Sequence, residues 1–108
     1  MILNKLKEEL QLEILSEGDL NKEIKGCYCS DLLSHCMSNI DAGNLWVTVQ
    51  VNINIIAIAV LTELSAIIIS QGMAVDNSVI EKAKEEGITV FRTDLPSYEL
   101  CVRIGNMI

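Results

Sequence analysis

Five short polar clusters interrupt a chain otherwise rich in aliphatic residues: Ser16-Glu17, Ser30-Asp31, Thr48 to Asn54, Ser70-Gln71-Gly72 and Arg92-Thr93-Asp94. Each follows a segment patterned as a strand, and in open parallel sheets ligands settle beyond the carboxyl ends of the strands. Hydroxyls, amides and one guanidinium suit hydrogen bonding to a small polar or anionic molecule. The candidate ligand-binding residues are therefore Ser30, Asp31, Thr48, Gln50, Asn52, Asn54, Ser70, Gly72, Arg92 and Thr93. The stretch around Gln50, Asn52 and Asn54 draws most attention, because a strand feeding a helix leaves unpaired N–H groups that attract anions. The competing reading is that loops are polar everywhere and these residues merely cap helices.

Other chemistry is thinly represented. Cys27 and Cys29 are two apart, so a strand would put both thiols on one face. Cys36 follows on a helix and Cys101 is remote. A metal or iron–sulfur cluster usually takes soft ligands at tighter, loop-borne spacing, and free cysteine is commonly a core residue. His35 stands four residues after Asp31, but a helix-borne His beside a carboxylate is usually a surface pair. Arg92 either meets a phosphate or carboxylate or forms a salt bridge with Asp94 or Glu99. Neither G-x-x-x-x-G-K-[ST] nor G-x-G-x-x-G occurs, so no lysine-bearing phosphate cradle is present and kinase activity is not expected. No catalytic residue, metal ligand or cofactor is assigned.

The elements that must position these groups follow from periodicity and stop signals. Helices are expected over Asn4–Leu10, over the run with Leu32, Leu33, Cys36, Met37 and Ile40, over Ile53–Glu63, from Asp76 through Glu86, and after Pro96-Ser97. Ser30-Asp31 and Asp76 read as caps and Gly87 as a stop. In the last helix Tyr98, Leu100, Cys101, Val102 and Ile104 read as mostly buried. Strands are expected over Gln11–Ser16, Glu23–Cys29, Leu45–Val49, Ala66–Ser70 and Ile88–Phe91. Strands alternating with helices imply crossovers. The fold class is α/β: a single domain spanning 1–108, with a largely parallel sheet of about five strands flanked by helices on both faces. Its five polar tips are expected to share one rim.

Composition narrows the partners. Half of the 108 residues are hydrophobic but only 4% are aromatic, so the core is aliphatic, as in buried parallel strands. So apolar a short chain implies surface hidden in an oligomer, a homodimer being the expectation. The helix from Ile53 to Leu61, apolar on nearly all sides, fits burial against a second subunit or wholly inside the monomer. Fifteen acidic against eight basic residues give a net charge of −7, which disfavours nucleic acid and anionic membranes. Gln50, Asn52, Asn54, Thr62 and Glu63 break the apolar stretch Leu45–Ile69 below the ~20 residues of a membrane span. With no signal-like start either, a cytoplasmic location and reduced thiols are expected.

The chain resembles the DRTGG domain family. The likeness rests on Ile24–Leu33, Leu45–Gln50, Ala66–Gly72, Ile80–Ile88 and Tyr98-Glu99-Leu100, and covers nearly the whole length. It looks closest to small stand-alone members encoded near iron-only hydrogenases. Relatives precede the kinase part of HPr kinase, occur in phosphate acetyltransferases, and sit between CBS domains of regulatory pyrophosphatases. In those pyrophosphatases the domain makes dimer contacts near an adenine dinucleotide site. Val51-Asn52 stands where the family's Asp-Arg pair is expected, and Ser70-Gln71-Gly72 where Thr-Gly-Gly is expected.

The resemblance implies a domain that regulates rather than catalyses. The leading functional expectation is a homodimeric regulatory module binding an adenine nucleotide or dinucleotide, or a partner enzyme such as a hydrogenase-related protein. The alternative is a redox or iron–sulfur accessory protein of a hydrogenase, using Cys27, Cys29 and Cys36. An enzyme built on His35 and Asp31 ranks behind both.

Overall fold

The computed structural model describes all 108 residues. In chain order the elements are α1 (Leu3–Leu10), β1 (Glu13–Ser16), β2 (Gly26–Cys29), α2 (Leu33–Asn39), β3 (Asn44–Thr48), α3 (Asn54–Thr62), β4 (Ala66–Ile69), α4 (Asn77–Glu85), β5 (Val90–Arg92) and α5 (Ser97–Met107). The strands form one sheet in the order β1-β5-β4-β3-β2. Pairing from β2 through β5 is parallel, whereas β1 runs antiparallel to β5. The sequence-derived fold class holds. No helix is long and apolar enough to cross a membrane.

Two apolar layers sandwich the sheet. Trp46, Ile67, Ile69 and Val90 face one way, onto Cys36 of α2, Ile55 and Ala59 of α3, and Val79 and Ala83 of α4. Leu45, Val47, Ile68 and Phe91 face the other way, onto Leu3 and Leu6 of α1 and Leu100 and Ile104 of α5. The unbroken apolar run of β4 follows from this: its residues alternate between two buried faces, so none needs to be polar. Ile67, Ile68 and Ile69 are fully buried, each worth about 2 kcal/mol of apolar transfer.

Local signals set several boundaries. Gly87 takes φ +68°, and the N–H groups of Gly87 and Ile88 close α4 on the carbonyls of Lys84 and Ala83, the chemistry expected of a glycine stop. Asp76 stands at the start of α4 but makes no side-chain cap hydrogen bond. Tyr98 and Val102 are not buried: they are 82% and 45% exposed, while Leu100 and Ile104 are fully enclosed. The reason is angular, because residues two apart on a helix lie about 200° apart and cannot share a face.

The direction of β1 corrects the expectation of a single five-tipped rim. Because β1 is antiparallel, Ser16 pairs with Val90 at the amino edge of the parallel strands. There the Ser16 hydroxyl donates to the Ile88 carbonyl at 2.8 Å and the Gly18 N–H donates to Thr89 Oγ1 at 2.9 Å. Ser16-Glu17 are thus far from the carboxyl edge. It is the amino end of β1, at Glu13, that reaches it.

Candidate functional site

The four parallel strands deliver their carboxyl tips to one edge, but the tips divide into two groups. The β2 and β3 tips are joined by a continuous hydrogen-bond chain. Asp31 Oδ1 accepts from Thr48 Oγ1 at 2.8 Å and from the Val49 N–H at 2.9 Å. Thr48 Oγ1 in turn accepts from the Gln50 N–H at 3.0 Å, and Gln50 Nε2 donates to the Asp31 carbonyl at 3.4 Å. Gln50 Oε1 accepts from the Asn52 N–H, and Asn52 Oδ1 from the Asn54 N–H, at 3.1 and 2.8 Å.

This network changes the meaning of the amide hinge. Gln50 and Asn52 spend their side-chain oxygens on the backbone two residues ahead, as polar turn residues commonly do. Thr48 is 1% exposed and offers nothing to solvent. Asp31 does not cap its own helix: α2 begins after Leu32 with no side-chain cap, and the Asp31 carboxylate crosses to β3 instead. Ser30 likewise works internally, its carbonyl accepting from Trp46 Nε1 at 2.9 Å and from Cys36 Sγ at 3.5 Å. The hinge fixes the entry to α3, with Asn52 and Asn54 left at the surface.

The β4 and β5 tips form the second group, and the chain diverges there. The loop after β4 leads to α4 on one face, and the loop after β5 leads to α5 on the other. Loops that part to opposite faces open the crevice in which ligands sit in open α/β sheets. Backbone bonds lace its floor: the Gly72 N–H donates to the Thr93 carbonyl and the Gln71 N–H to the Leu95 carbonyl, both at 2.9 Å. Ser70 is fully buried and shares a 2.6 Å hydroxyl contact with Ser97 at the start of α5. Gln71 and Gly72 both adopt left-handed backbone, at φ +63° and +62°. A Cβ on Gly72 would lie 2.6 Å from Asp94 Oδ1. Glycine is needed at position 72 for its φ and for the nearness of that carboxylate.

Arg92 reaches the crevice but is already engaged. Its Nε and Nη2 donate to the two carboxylate oxygens of Glu13, each at 3.0 Å, the residue directly across the β1–β5 ladder. The partner is thus Glu13, and neither Asp94 nor Glu99; Glu99 binds Arg103 instead, at 2.9 Å. The paired carboxylate holds the Arg92 guanidinium pKa above its ordinary value. Beside this pair lies an open groove of about 400 Å³, lined in part by Gln11, Glu13, Arg92, Thr93, Pro96 and Arg103. That volume falls in the range of small-molecule sites. Sequence reasoning missed Gln11, Glu13 and Arg103. An antiparallel β1, which brings its amino end to the carboxyl edge, was the signal needed to find the first two.

The remaining candidates separate. His35 is exposed, and Asp31 is committed to Thr48 and Val49, so the two do not form an acid–base pair. The set Cys27, Cys29 and Cys36 is split by the sheet. Cys27 and Cys29 are in register with Leu45 and Val47, on the α1/α5 face, whereas Cys36 is buried among the residues of the opposite layer. The thiol beside the two strand cysteines is Cys101. Although Cys27 and Cys29 keep exposed surface, shielding from solvent, then repulsion from Cys101, pushes their pKa up to about 12 and about 11.

The profile of the DRTGG domain family matches residues 5–107. No protein of curated function matches the chain. Among solved structures, one of the CBS and DRTGG domains of the regulatory region of Clostridium perfringens pyrophosphatase, complexed with the activator diadenosine tetraphosphate, is similar with a TM-score of 0.76 at 19% identity. The match covers 94% of this chain and 44% of that one, so the protein spans less than half of its structural relative. A likeness at that identity speaks to fold alone. With nearly its whole length inside the family profile, the chain belongs to the DRTGG domain family.

Proposed function

We propose that this DRTGG domain is a non-catalytic regulatory module that binds an adenine nucleotide or dinucleotide at the carboxyl edge of its sheet and works as a homodimer. The observation that carries the reading is the open groove of about 400 Å³ at the β5 tip, between the end of α1 and the start of α5, which Arg92 and Arg103 line and whose volume falls in the range of small-molecule sites. The nucleotide class is supported by the similar pyrophosphatase regulatory region, which was crystallised with diadenosine tetraphosphate. Guanidinium groups suit phosphate oxygens. Since Arg92 is held by Glu13, an incoming phosphate competes with that carboxylate, and Arg103 is the second donor.

The test is thermal unfolding of the whole chain with AMP, ATP and diadenosine tetraphosphate. A ligand at about 100 times its Kd stabilises the folded state by about 2.7 kcal/mol, a rise of about 10 °C for a domain of this size. Arg92→Gln with Arg103→Gln should abolish the rise. If none of the three compounds shifts the midpoint at millimolar concentration, the nucleotide reading falls.

The dimer reading rests on α3. Ile53, Val60 and Leu61 are 45%, 45% and 68% exposed, and with Ala57 they form a stripe at helical spacing. A groove of about 400 Å³ between α3 and α4, lined by Ile53, Ile56, Ala57, Val60, Lys82 and Glu86, adjoins the stripe. An apolar stripe flanked by one basic and one acidic residue suits the self-matching contact of a two-fold dimer. Sedimentation equilibrium should report a dimer for the native chain and a monomer for Leu61→Glu. A monomeric native chain overturns this part without touching the ligand reading.

A further inference from the structure

We propose that Cys101 of α5 and Cys29 of β2 are the two halves of a reversible disulfide that ties the C-terminal helix to the edge strand of the sheet. The inference stands apart from the nucleotide reading and does not depend on it.

Three observations converge. First, β2 is an edge strand, paired only with β3, so no further strand covers its outer side. Second, Cys27 and Cys29 project from the same face of β2, as their register with Leu45 and Val47 requires, and α5 packs across that face. Third, Cys101 is half-buried against the same apolar layer and is close enough to both strand thiols for its charge to act on each. All four cysteines are reduced, and Cys36, on the far side of the sheet, is out of reach of this group.

Cys29 is the entry point, being the less shielded of the two strand thiols and the easier to ionise. The oxidant is a low-molecular-weight disulfide. The Cys29 thiolate attacks one of its sulfurs, the oxidant's S–S bond breaks, and one small thiolate leaves as a mixed disulfide forms on Cys29. The Cys101 thiolate then attacks Cys29 Sγ and expels the second small thiolate. Two electrons pass from the protein to the oxidant, and the two protons released end on the two small thiols. Because the entering Cys29 thiol is held mostly protonated at neutral pH, bridge formation is slow and answers to sustained oxidation. Once formed, the bridge closes most of the chain into one loop, the arrangement that most restricts the unfolded state.

The experiment treats the folded, full-length chain with oxidised glutathione and follows free thiols and intact mass. The expected result is loss of two of the four thiols, loss of two hydrogens with no retained adduct, and a monomeric mass. The unfolding midpoint should rise by about 10 °C and fall back on reduction. Cys101→Ser should keep glutathione attached and show no rise. The double variant Cys27→Ser/Cys36→Ser, which leaves Cys29 and Cys101 alone, should bridge in full. The proposal is overturned if that double variant fails to bridge, if Cys101→Ser still forms an internal bridge, or if only chain-to-chain disulfides appear. Should Cys101→Ser fail to fold, the double variant decides alone.

Discussion

Replacing Asp31 with alanine should destabilise the domain by about 2–3 kcal/mol, more than its exposed position in the chain would lead one to expect. The carboxylate is the acceptor for two donors at the end of β3, the Thr48 hydroxyl at 2.8 Å and the N–H of the next residue, Val49, at 2.9 Å. Thr48 is buried, so its hydroxyl has no ready access to water once Asp31 is gone. A buried donor left without a partner costs its full desolvation, which exceeds what the bond itself contributes. Asp31→Asn retains an amide oxygen at the same position and should lose only about 1 kcal/mol. Urea unfolding reads both. A cycle with Thr48→Val separates the pair from the rest: if Asp31 acts through Thr48, the double variant loses less than the sum of the singles. Full additivity would show that the contact does not matter to stability.

Gly18→Ala should be the most damaging glycine substitution in the protein, at about 3 kcal/mol, close to the upper end for overpacking. A Cβ at this position would run into the carbonyl oxygen of Gly87 and come within 2.8 Å of Thr89 Oγ1. Both obstacles belong to the turn between α4 and β5, whose backbone is fixed by hydrogen bonds to Lys84 and Ala83. Backbone cannot swing aside as a side-chain tip can. Relief would require moving β1 off β5, which also breaks the 2.9 Å bond from the Gly18 N–H to Thr89. The comparison is Gly105→Ala on α5, where a Cβ meets nothing within 4 Å; there alanine should be neutral or stabilising. The denaturant midpoint should fall for Gly18→Ala and stay level or rise for Gly105→Ala. An unchanged midpoint for Gly18→Ala would mean that the β1 edge is looser than its packing indicates.

The site was legible only where local chemistry governs. The polar tips after β2, β3, β4 and β5 could be found by following each apolar run to its end, because a buried parallel strand must leave the core at a polar turn. What those residues do was not legible. Gln50, Asn52 and Asn54 look alike in sequence whether they face a ligand or their own backbone; the fold turns Gln50 and Asn52 to the backbone. Arg92 could be identified as a useful cation, but its partner Glu13 lies 79 residues away, and only the β1–β5 ladder brings them together.

The α/β class, the five strands, the Gly87 stop and the core of β4 were written in the one-dimensional pattern, because burial on both faces and helix termination each act on adjacent residues. The direction of β1 and the separation of Cys36 from Cys27 and Cys29 were decided by tertiary structure alone. Each depends on which face of the sheet a distant element covers. An amphipathic segment specifies that it has a buried side, but its eventual neighbour is set by how the whole chain closes its two apolar layers.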